Sequence, residues 1–296
     1  MKNILLIGGE GQLGMALRTL LLPKEYMGKY DITFPTHNDL DITNYHNVRS
    51  YIDNYPVKFD AIINCAAIHD ANKCRENPML AHQVNRADAL VEIAWVRGIK
   101  YIYISTDMVY CDPFGSSHEV PIGHFTPVQP YPDAVYTNTK QQGEAVAWMF
   151  GGTVARVSTL FGHYPCRGKD KPNLIDRMIS AAQAKGEFVA SMDTVAITEA
   201  DWAAKCLIDI VLGKYRSKNT VETNGMKRTV HHLVSSNTCT YTDIVWYIYQ
   251  KLGVDPVGKI TVIGGGNNSY PLLADDCRGK TWEKMIDSYL AKKGLI

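Results

Sequence analysis

The stretch Gly8-Gly9-Glu10-Gly11-Gln12-Leu13-Gly14 decides the fold of this 296-residue chain. It follows a short apolar run, Asn3 to Ile7, that predicts a buried strand, and it opens a helical pattern over Gln12 to Leu22. Glycines at this spacing permit a tight turn, a close approach of the backbone to a pyrophosphate, and close packing of helix on strand. Free N–H groups at the helix N-terminus favour an anion. The stretch predicts a dinucleotide-binding turn, with a plain strand-to-helix turn as the alternative.

Beyond this turn, short apolar runs alternate with helical patterns. We predict further strands at 31–35, 61–65, 101–105 and 153–157, and helices at 44–54, 78–98, 135–150, 174–185, 201–212 and 241–252. This alternation favours a parallel sheet covered by helices on both faces. The predicted fold is α/β, a Rossmann-type doubly wound parallel sheet with a smaller C-terminal α/β substrate domain.

The predicted boundary between the two domains lies at residue 162. Residues 1–162 would form the NAD(P)-binding Rossmann domain, and residues 163–296 the smaller substrate-binding domain, because the strand–helix alternation weakens after Gly162. An arrangement in which the second part is interleaved with the first stays open. The stretch from 107 to 134, rich in Pro, Gly, Ser and His, is longer than a simple connector, which indicates a functional loop.

The composition excludes several classes of protein. Hydrophobic residues make up 46% and charged residues 21% of the chain, and the net charge is +1, so we expect neither a nucleic-acid partner nor a membrane partner. The seven cysteines include no C-x-x-C pair, so we expect no metal site and no disulfide framework. No stretch has the pattern of a signal peptide or a membrane span, and we expect a cytoplasmic protein.

The predicted second strand is followed by Thr36-His37-Asn38, where NAD-binding folds often place an acid for the ribose hydroxyls. His37, if protonated, would contact a 2′-phosphate and favour NADP, or it is an exposed loop histidine. Asp41, followed by Ile42, would accept from the adenine amino group or cap the next helix. The choice between NADPH and NADH therefore stays open.

Two polar groups in the middle of the chain point to proton transfer. Tyr136 and Lys140 lie four residues apart at the start of a predicted helix, so they share one face. A neighbouring ammonium favours phenolate, which would lower the pKa of the tyrosine towards neutrality and make it a usable acid or base. Ser105-Thr106-Asp107 ends a predicted strand at the edge of the sheet where ligands bind. Together with the glycine turn, these groups predict an oxidoreductase.

These motifs resemble those of the extended short-chain dehydrogenase/reductase superfamily, and most closely those of the dTDP-4-dehydrorhamnose reductase family. The resemblance is carried by Gly11-Gln12-Leu13-Gly14, Leu40-Asp41-Ile42-Thr43, Asn64-Cys65-Ala66-Ala67, Val84-Asn85, Ile104 to Tyr110, Tyr136 to Lys140 with Gly143-Glu144, and Pro172-Asn173-Leu174. It implies a cytoplasmic enzyme of nucleotide-sugar metabolism. In such an enzyme, NADPH or NADH reduces the 4-keto group of a nucleotide-linked 6-deoxysugar.

The resemblance also implies roles for individual residues. Thr106, Tyr136 and Lys140 would be catalytic, with Tyr136 as proton donor, and the substrate would contact Thr106, Asp107 and Asn173. The residues expected to bind the cofactor lie at the predicted strand ends and on the helix that follows the long loop: Gly8, Gly11, Gln12, Leu13, Gly14, His37, Asp41, Ile42, Cys65, Ala66, Ala67, Ile104, Tyr136 and Lys140.

Two other functions stay open beside the reductase. One is a nucleotide-sugar epimerase, or an epimerase/reductase, which would keep its nicotinamide bound. The other is a non-catalytic NADP-binding regulatory subunit resembling the β subunit of methionine adenosyltransferase. A homodimer is the default assembly for such enzymes.

The sugar-facing motifs depart from the family at several places, among them Met108, Thr137 and Thr159. The aromatic helix face that begins at Tyr241 is interpreted as packing. The pair His231-His232 lies in an apparent strand, where neighbours face opposite sides, so no shared metal is expected.

Overall fold

The computed structural model describes residues 1–20, 28–110, 135–164, 172–215, 220–223, 226–265 and 279–296, and gives the backbone alone at Tyr110, 221–223, 226 and 227. Residues 107–110 form a 3₁₀ turn. The rest of the predicted functional loop, 111–134, lies outside the described residues.

A seven-stranded sheet forms the centre of the molecule. Its strands, in spatial order, are β10 (Thr220–Thr223), β11 (Met226–His232), β5 (Thr153–Val157), β4 (Lys100–Thr106), β3 (Ala61–Asn64), β1 (Lys2–Ile7) and β2 (Tyr30–Thr33). Six strands run parallel, and β10 alone is antiparallel to its neighbour β11. The predicted doubly wound parallel sheet is confirmed, with an antiparallel edge strand added.

Alternate residues of each strand feed two separate cores. Leu5, Ile62 and Tyr101 point into one core. Ile4, Ile63 and Ile102 point into the other, because successive side chains of a strand face opposite sides of the sheet. Apolar residues therefore follow one another without alternation in these strands, as expected when both faces are covered.

Ten α-helices connect and cover the described strands. They are α1 (Gln12–Thr19), α2 (Tyr45–Asn54), α3 (Ala71–Glu76), α4 (Pro78–Arg86), α5 (Asp88–Val96), α6 (Val135–Met149), α7 (Leu174–Gln183), α8 (Ala200–Val211), α9 (Tyr241–Lys251) and α10 (Trp282–Lys292). None of them, within the described ranges, is long and apolar enough to cross a membrane.

The prediction of a single helix over 78–98 is wrong. The chain forms two helices, α4 and α5, with a break at Ala87. Ala87 is fully buried and has a positive φ of 52°. The hydroxyl of Tyr103 donates to the carbonyl of Asn85 at 2.6 Å and so occupies an acceptor at the end of α4. The Asn85 side chain meanwhile bonds Ile68 and Thr139. These tertiary contacts end α4 where the sequence pattern continues.

The second half of the chain shares the core of the first. Ile175, Leu207 and Tyr289 belong to the same apolar cluster as Ile4 and Leu17. Its small strands, which the sequence pattern did not predict, are β6 (Leu160–Phe161), β7 (Phe188–Ser191), β8 (Thr194–Val195), β9 (Thr198–Glu199), β12 (Cys239–Thr240) and β13 (Ile260–Ile263). The strands β10 and β11, although they follow residue 162, extend the central sheet. The domain boundary at 162 stays a prediction.

Candidate active site

A cleft of about 1010 Å³ lies beyond the carboxyl ends of β1, β3 and β4. The strand order reverses direction between β1 and β3, and ligands of open α/β sheets bind at such a point. Fourteen of the predicted site residues line the cleft: Gly8, Gly11, Gln12, Leu13, Gly14, His37, Ile42, Cys65, Ala66, Ala67, Ile104, Thr106, Tyr136 and Lys140. Asp107, predicted to contact substrate, lines it as well.

The glycine turn forms a wall of backbone. Gly8 has a φ of +75°, and a Cβ on Gly14 would stand 2.2 Å from the carbonyl oxygen of Gly8, so the turn and the first turn of α1 are in direct contact. A Cβ on Gly11 would meet only that same oxygen, at 3.5 Å. Gly11 caps α1 without a side-chain acceptor, which leaves N–H groups of the first turn available to a phosphate. This geometry fits the pyrophosphate of a dinucleotide.

The segment after β3 packs directly on the glycine turn. A Cβ on Gly8 would stand 2.7 Å from the backbone nitrogen of Ala66, so only glycine fits there. Asn64 accepts from the same nitrogen at 3.1 Å and shapes the bend. Beside it, burial raises the pKa of the Cys65 thiol to about 12, so the thiol stays protonated.

The glycine turn is contacted by a cation that the sequence pattern did not indicate. The guanidinium of Arg18, on α1, lies 3.9 Å from the ring centre of Phe34 and donates at 3.4 Å to the carbonyl of Gly9, which lines the cleft. His37 and Ile42 line the cleft as well. Asp41 lies outside the lining, because its carboxylate accepts from the backbone and the hydroxyl of Thr43.

Three buried groups meet at the end of β4. The hydroxyl of Thr106 donates to the Asp107 carboxylate at 3.0 Å and accepts from the backbone N–H of Met108 at 3.2 Å. Ser158, which follows β5, donates to the other carboxylate oxygen of Asp107. Burial raises the pKa of Asp107, and the hydrogen bonds from Ser158 and Thr106 oppose that rise. The arrangement fixes Thr106 at the cleft, whose lining also includes Tyr136.

Lys140 lies on α6, in the same cleft. The sequence had suggested that Lys140 lowers the pKa of Tyr136, but in the structure it does not. Its Nζ donates to the carbonyl of Ile104 at 2.6 Å and lies 4.1 Å from the ring centre of Tyr103. Burial instead raises the pKa of Tyr136 above its ordinary value. Burial also lowers the pKa of Lys140 to about 7, against an opposing effect of the Glu144 carboxylate.

The second half of the chain contributes a residue that the sequence analysis assigned to packing. Tyr241, the first residue of α9, lines the cleft, and its hydroxyl lies 3.0 Å from that of Thr159. Thr159, whose φ is +36°, and Leu160 line the same side. The only signal for Tyr241 was its place at the start of a helix, after the capping residue Thr240.

Asn173 lies outside the cleft lining. Its carbonyl oxygen accepts from the backbone of Asp176 as the N-cap of α7, and its amide donates to Gly162 and Asp176. The predicted roles of Asn173 towards a sugar and of Asp41 towards a nucleotide stay predictions. Within the described ranges, no three His, Cys, Asp or Glu side chains are grouped so that they could hold a metal ion.

A family model described as the RmlD substrate binding domain matches residues 1–275. The chain belongs to this family. The resemblance to dTDP-4-dehydrorhamnose reductases seen in the motifs is thereby confirmed, and the family model extends well beyond the region in which the motifs were strong.

Individual relatives of the RmlD family agree with this assignment. The dTDP-4-dehydrorhamnose reductase of Aggregatibacter actinomycetemcomitans is 31% identical over 170 residues, which span 55% of this chain and 53% of that protein. A crystal structure of a dTDP-4-dehydrorhamnose reductase from Clostridium acetobutylicum has a TM-score of 0.78 at 22% identity and covers 99% of both chains. The Bacillus anthracis reductase, solved in complex with NADP, has a TM-score of 0.76 at 20% identity and covers 99% of this chain and 100% of its own. The two structures show the fold.

Proposed function

We propose that the protein is an NADPH- or NADH-dependent oxidoreductase that reduces the 4-keto group of a nucleotide-linked 6-deoxysugar. The observation that carries the proposal is that Thr106, Tyr136 and Lys140 line the same cleft as the glycine turn. Membership of the RmlD family and the 31% identical reductase support the choice of substrate class. A cytoplasmic location and a homodimer remain proposals of the same kind.

The chain's own residues would hold the cofactor by shape and by backbone groups. The wall around Gly11 leaves room for a pyrophosphate, and the start of α1 presents N–H groups to it. Lys140, at the opposite end of the cleft, would hold the nicotinamide ribose. The nicotinamide, when bound, supplies the hydride.

Tyr136 would supply the proton that balances the reduction. Hydride adds to the carbonyl carbon, the C=O π bond breaks, and the oxygen takes the proton of the Tyr136 hydroxyl. Because burial keeps the pKa of Tyr136 high, the hydroxyl is protonated before each turnover. The hydroxyl of Thr106, which donates to Asp107 in this structure, would turn to the same substrate oxygen, where charge develops. Water then returns the proton to Tyr136.

The decisive experiment measures NADPH oxidation by the purified protein with dTDP-4-keto-6-deoxy-L-mannose, beside Tyr136→Phe. We expect turnover by the native chain and a loss of about 100-fold or more in the variant, because the ring remains while the proton donor is removed. NADH is run in parallel, because the proposal allows either cofactor.

Two outcomes would contradict the proposal. Equal turnover by the native chain and Tyr136→Phe would remove Tyr136 from the chemistry. Tight NADPH binding without oxidation on any nucleotide-linked keto sugar would favour the regulatory subunit. Sugar conversion that uses no added NADPH would favour the epimerase.

A further inference from the structure

An ion pair lies buried directly behind Lys140. The Glu144 carboxylate receives two parallel hydrogen bonds from the guanidinium of Arg156, at 2.8 and 2.7 Å. Side-chain exposure is 4% for Glu144 and 2% for Arg156. Glu144 lies on α6, one turn after Lys140, and Arg156 lies on β5.

Such a pair is weak evidence of a stabilising role. Removing two charges from water costs free energy that their attraction in the protein offsets only with good geometry, and apolar residues of similar size often stabilise as well. The position of this pair is more informative than its existence, since its carboxylate shares a helix face with a buried ammonium of the cleft.

The surroundings of Lys140 show what that carboxylate does. Among the described residues, the titratable groups that face Lys140 are the Cys65 thiol beyond β3, the Tyr103 ring on β4, and Glu144 on its own helix. The Cys65 thiol is protonated, since burial raises its pKa to about 12, and the pKa of Tyr103 is raised well above its usual range by burial. Glu144, ion-paired with Arg156, is the carboxylate among these groups.

Arg156 keeps that anion in place from the far side. Its guanidinium holds both carboxylate oxygens, and the Nε2 atom of His232 on β11 lies 3.4 Å from Arg156 Nη1. The strand β11 comes from the second half of the chain and pairs with β5 in register, His232 opposite Arg156. The network thus joins β11 to the cleft through β5 and the helix α6.

We propose that Glu144, held by Arg156, is a positioning residue for Lys140, and that its carboxylate keeps the Lys140 ammonium charged and oriented at the cleft. Burial pulls the pKa of Lys140 down to about 7, and Glu144 opposes that fall. Without the carboxylate, the amine would be neutral over more of the working pH range. The consequence for turnover rests on the proposed function, whereas the effect on the charge of Lys140 does not.

The test uses two variants of Glu144 that separate charge from shape. Glu144→Gln keeps the shape and the hydrogen-bonding length but removes the charge, and Glu144→Asp keeps the charge but is one methylene shorter. NMR of the full chain with ¹³C-labelled lysine follows the titration of Lys140, whose signal is assigned by its loss in Lys140→Met. We expect the titration midpoint to fall by about one pH unit in Glu144→Gln, as for charges a few ångströms apart at a moderate effective dielectric. We expect Glu144→Asp to stay near the native midpoint.

A purely structural role predicts the opposite order, with Glu144→Asp more disturbed than Glu144→Gln. Equal midpoints in the native chain and Glu144→Gln would overturn the proposal. Glu199→Gln is the matched control, because it removes another buried carboxylate that has lysine partners and lies outside the cleft lining. Should Glu144→Gln fail to fold, the double variant Glu144→Gln, Arg156→Gln leaves no unpaired buried charge, and the same midpoint decides.

Turnover provides a second and separable readout. In Glu144→Gln the alkaline limb of kcat/KM should move to lower pH by the same amount as the NMR midpoint, up to about tenfold lower activity above pH 8. If the native chain itself turns over no nucleotide sugar, the proposed function has failed, and the NMR titration still decides the role of Glu144.

Discussion

The cleft has two walls that are built from different material. The backbone wall consists of residues 8–14 and 65–67. Its main-chain atoms pack so closely that a Cβ at Gly8 or Gly14 would overlap neighbouring backbone. The side-chain wall, Thr106, Tyr136 and Lys140, presents titratable or hydroxyl groups, of which Thr106 and Lys140 are buried. The backbone wall would bind a ligand by its shape, and that binding should not depend on pH. The chemistry of the side-chain wall depends on the protonation states of its residues.

The largest effect is expected at the backbone wall, from Gly14→Ala. The new Cβ would stand 2.2 Å from the Gly8 carbonyl oxygen and 2.7 Å from the Gly9 Cα, and backbone cannot yield as a side chain does. We expect a loss of about 3 kcal/mol in the free energy of unfolding, at the upper end for overpacking, together with loss of cofactor binding. Urea unfolding and NADPH fluorescence titration measure the two.

Gly11→Ala is the matched control for this prediction. Its Cβ would make an ordinary contact at 3.5 Å, so stability should change by less than about 1 kcal/mol, while NADPH affinity falls. If Gly11→Ala bound NADPH as tightly as the native chain at every pH, the backbone wall would not be the phosphate site.

The side-chain wall is tested next by Thr106→Val, which keeps the shape and removes the hydroxyl. Because that hydroxyl donates to Asp107 and lines the same cleft as Tyr136, we expect kcat/KM to fall by about 100-fold with the NADPH affinity unchanged. Steady-state kinetics beside a fluorescence titration separate the two quantities. Thr106→Ser should recover most of the activity, and a serine variant as slow as the valine variant would contradict the assigned role.

The pH dependence of the side-chain wall appears in stability as well as in turnover. Burial lowers the pKa of Lys140 to about 7 from the ordinary value of 10.5, so between these values the unfolded chain binds more protons than the folded chain. Stability contributed by this group must therefore rise with pH across that window. The unfolding free energy of the native chain minus that of Lys140→Met should therefore increase from pH 7 to 10, by at most about 1.4 kcal/mol per pH unit.

Urea unfolding of both proteins at several pH values measures that difference in the absence of cofactor. Gly11→Ala, whose change lies in the backbone wall, should show a constant difference from the native chain over the same range. A flat difference for Lys140→Met would mean that Lys140 is not buried as a poorly solvated ammonium.

The smallest effect is expected at Asn173, outside both walls. As the N-cap of α7, its replacement by Ala should cost about 1 kcal/mol of stability and leave the KM for the sugar unchanged. Asn173→Ser should restore the cap and the stability, as measured by thermal unfolding. A higher sugar KM in both variants would instead favour the predicted substrate role.

The predictions that the structure confirmed came from local patterns. The glycine turn, the apolar strands from β1 to β5 and the helix that begins near Tyr136 are each visible within about a dozen residues, because backbone geometry and burial on both faces leave a short-range signature. The order of the motifs along the chain was then enough to place Thr106, Tyr136 and Lys140 at one edge of the sheet.

The features that were missed depend on contacts between distant residues. The break at Ala87 follows from the Tyr103 hydroxyl, and Tyr241 reaches the cleft through packing of α9 far along the chain. Arg18 contacts the glycine turn from α1, whereas a search confined to the end of β2 finds no cation. In each case the local sequence pattern does not show which distant residue makes the contact.

By itself, the sequence determined the fold class and the family and predicted the groups that would carry the chemistry, since these follow from residue type and short-range spacing. Only the tertiary structure decided the surroundings of those groups. Burial lowers the pKa of Lys140 against the opposing effect of the Glu144 carboxylate, and burial raises the pKa of Tyr136. The reason is physical: a pKa is a property of the surrounding dielectric and charges, which come together only when the chain is folded.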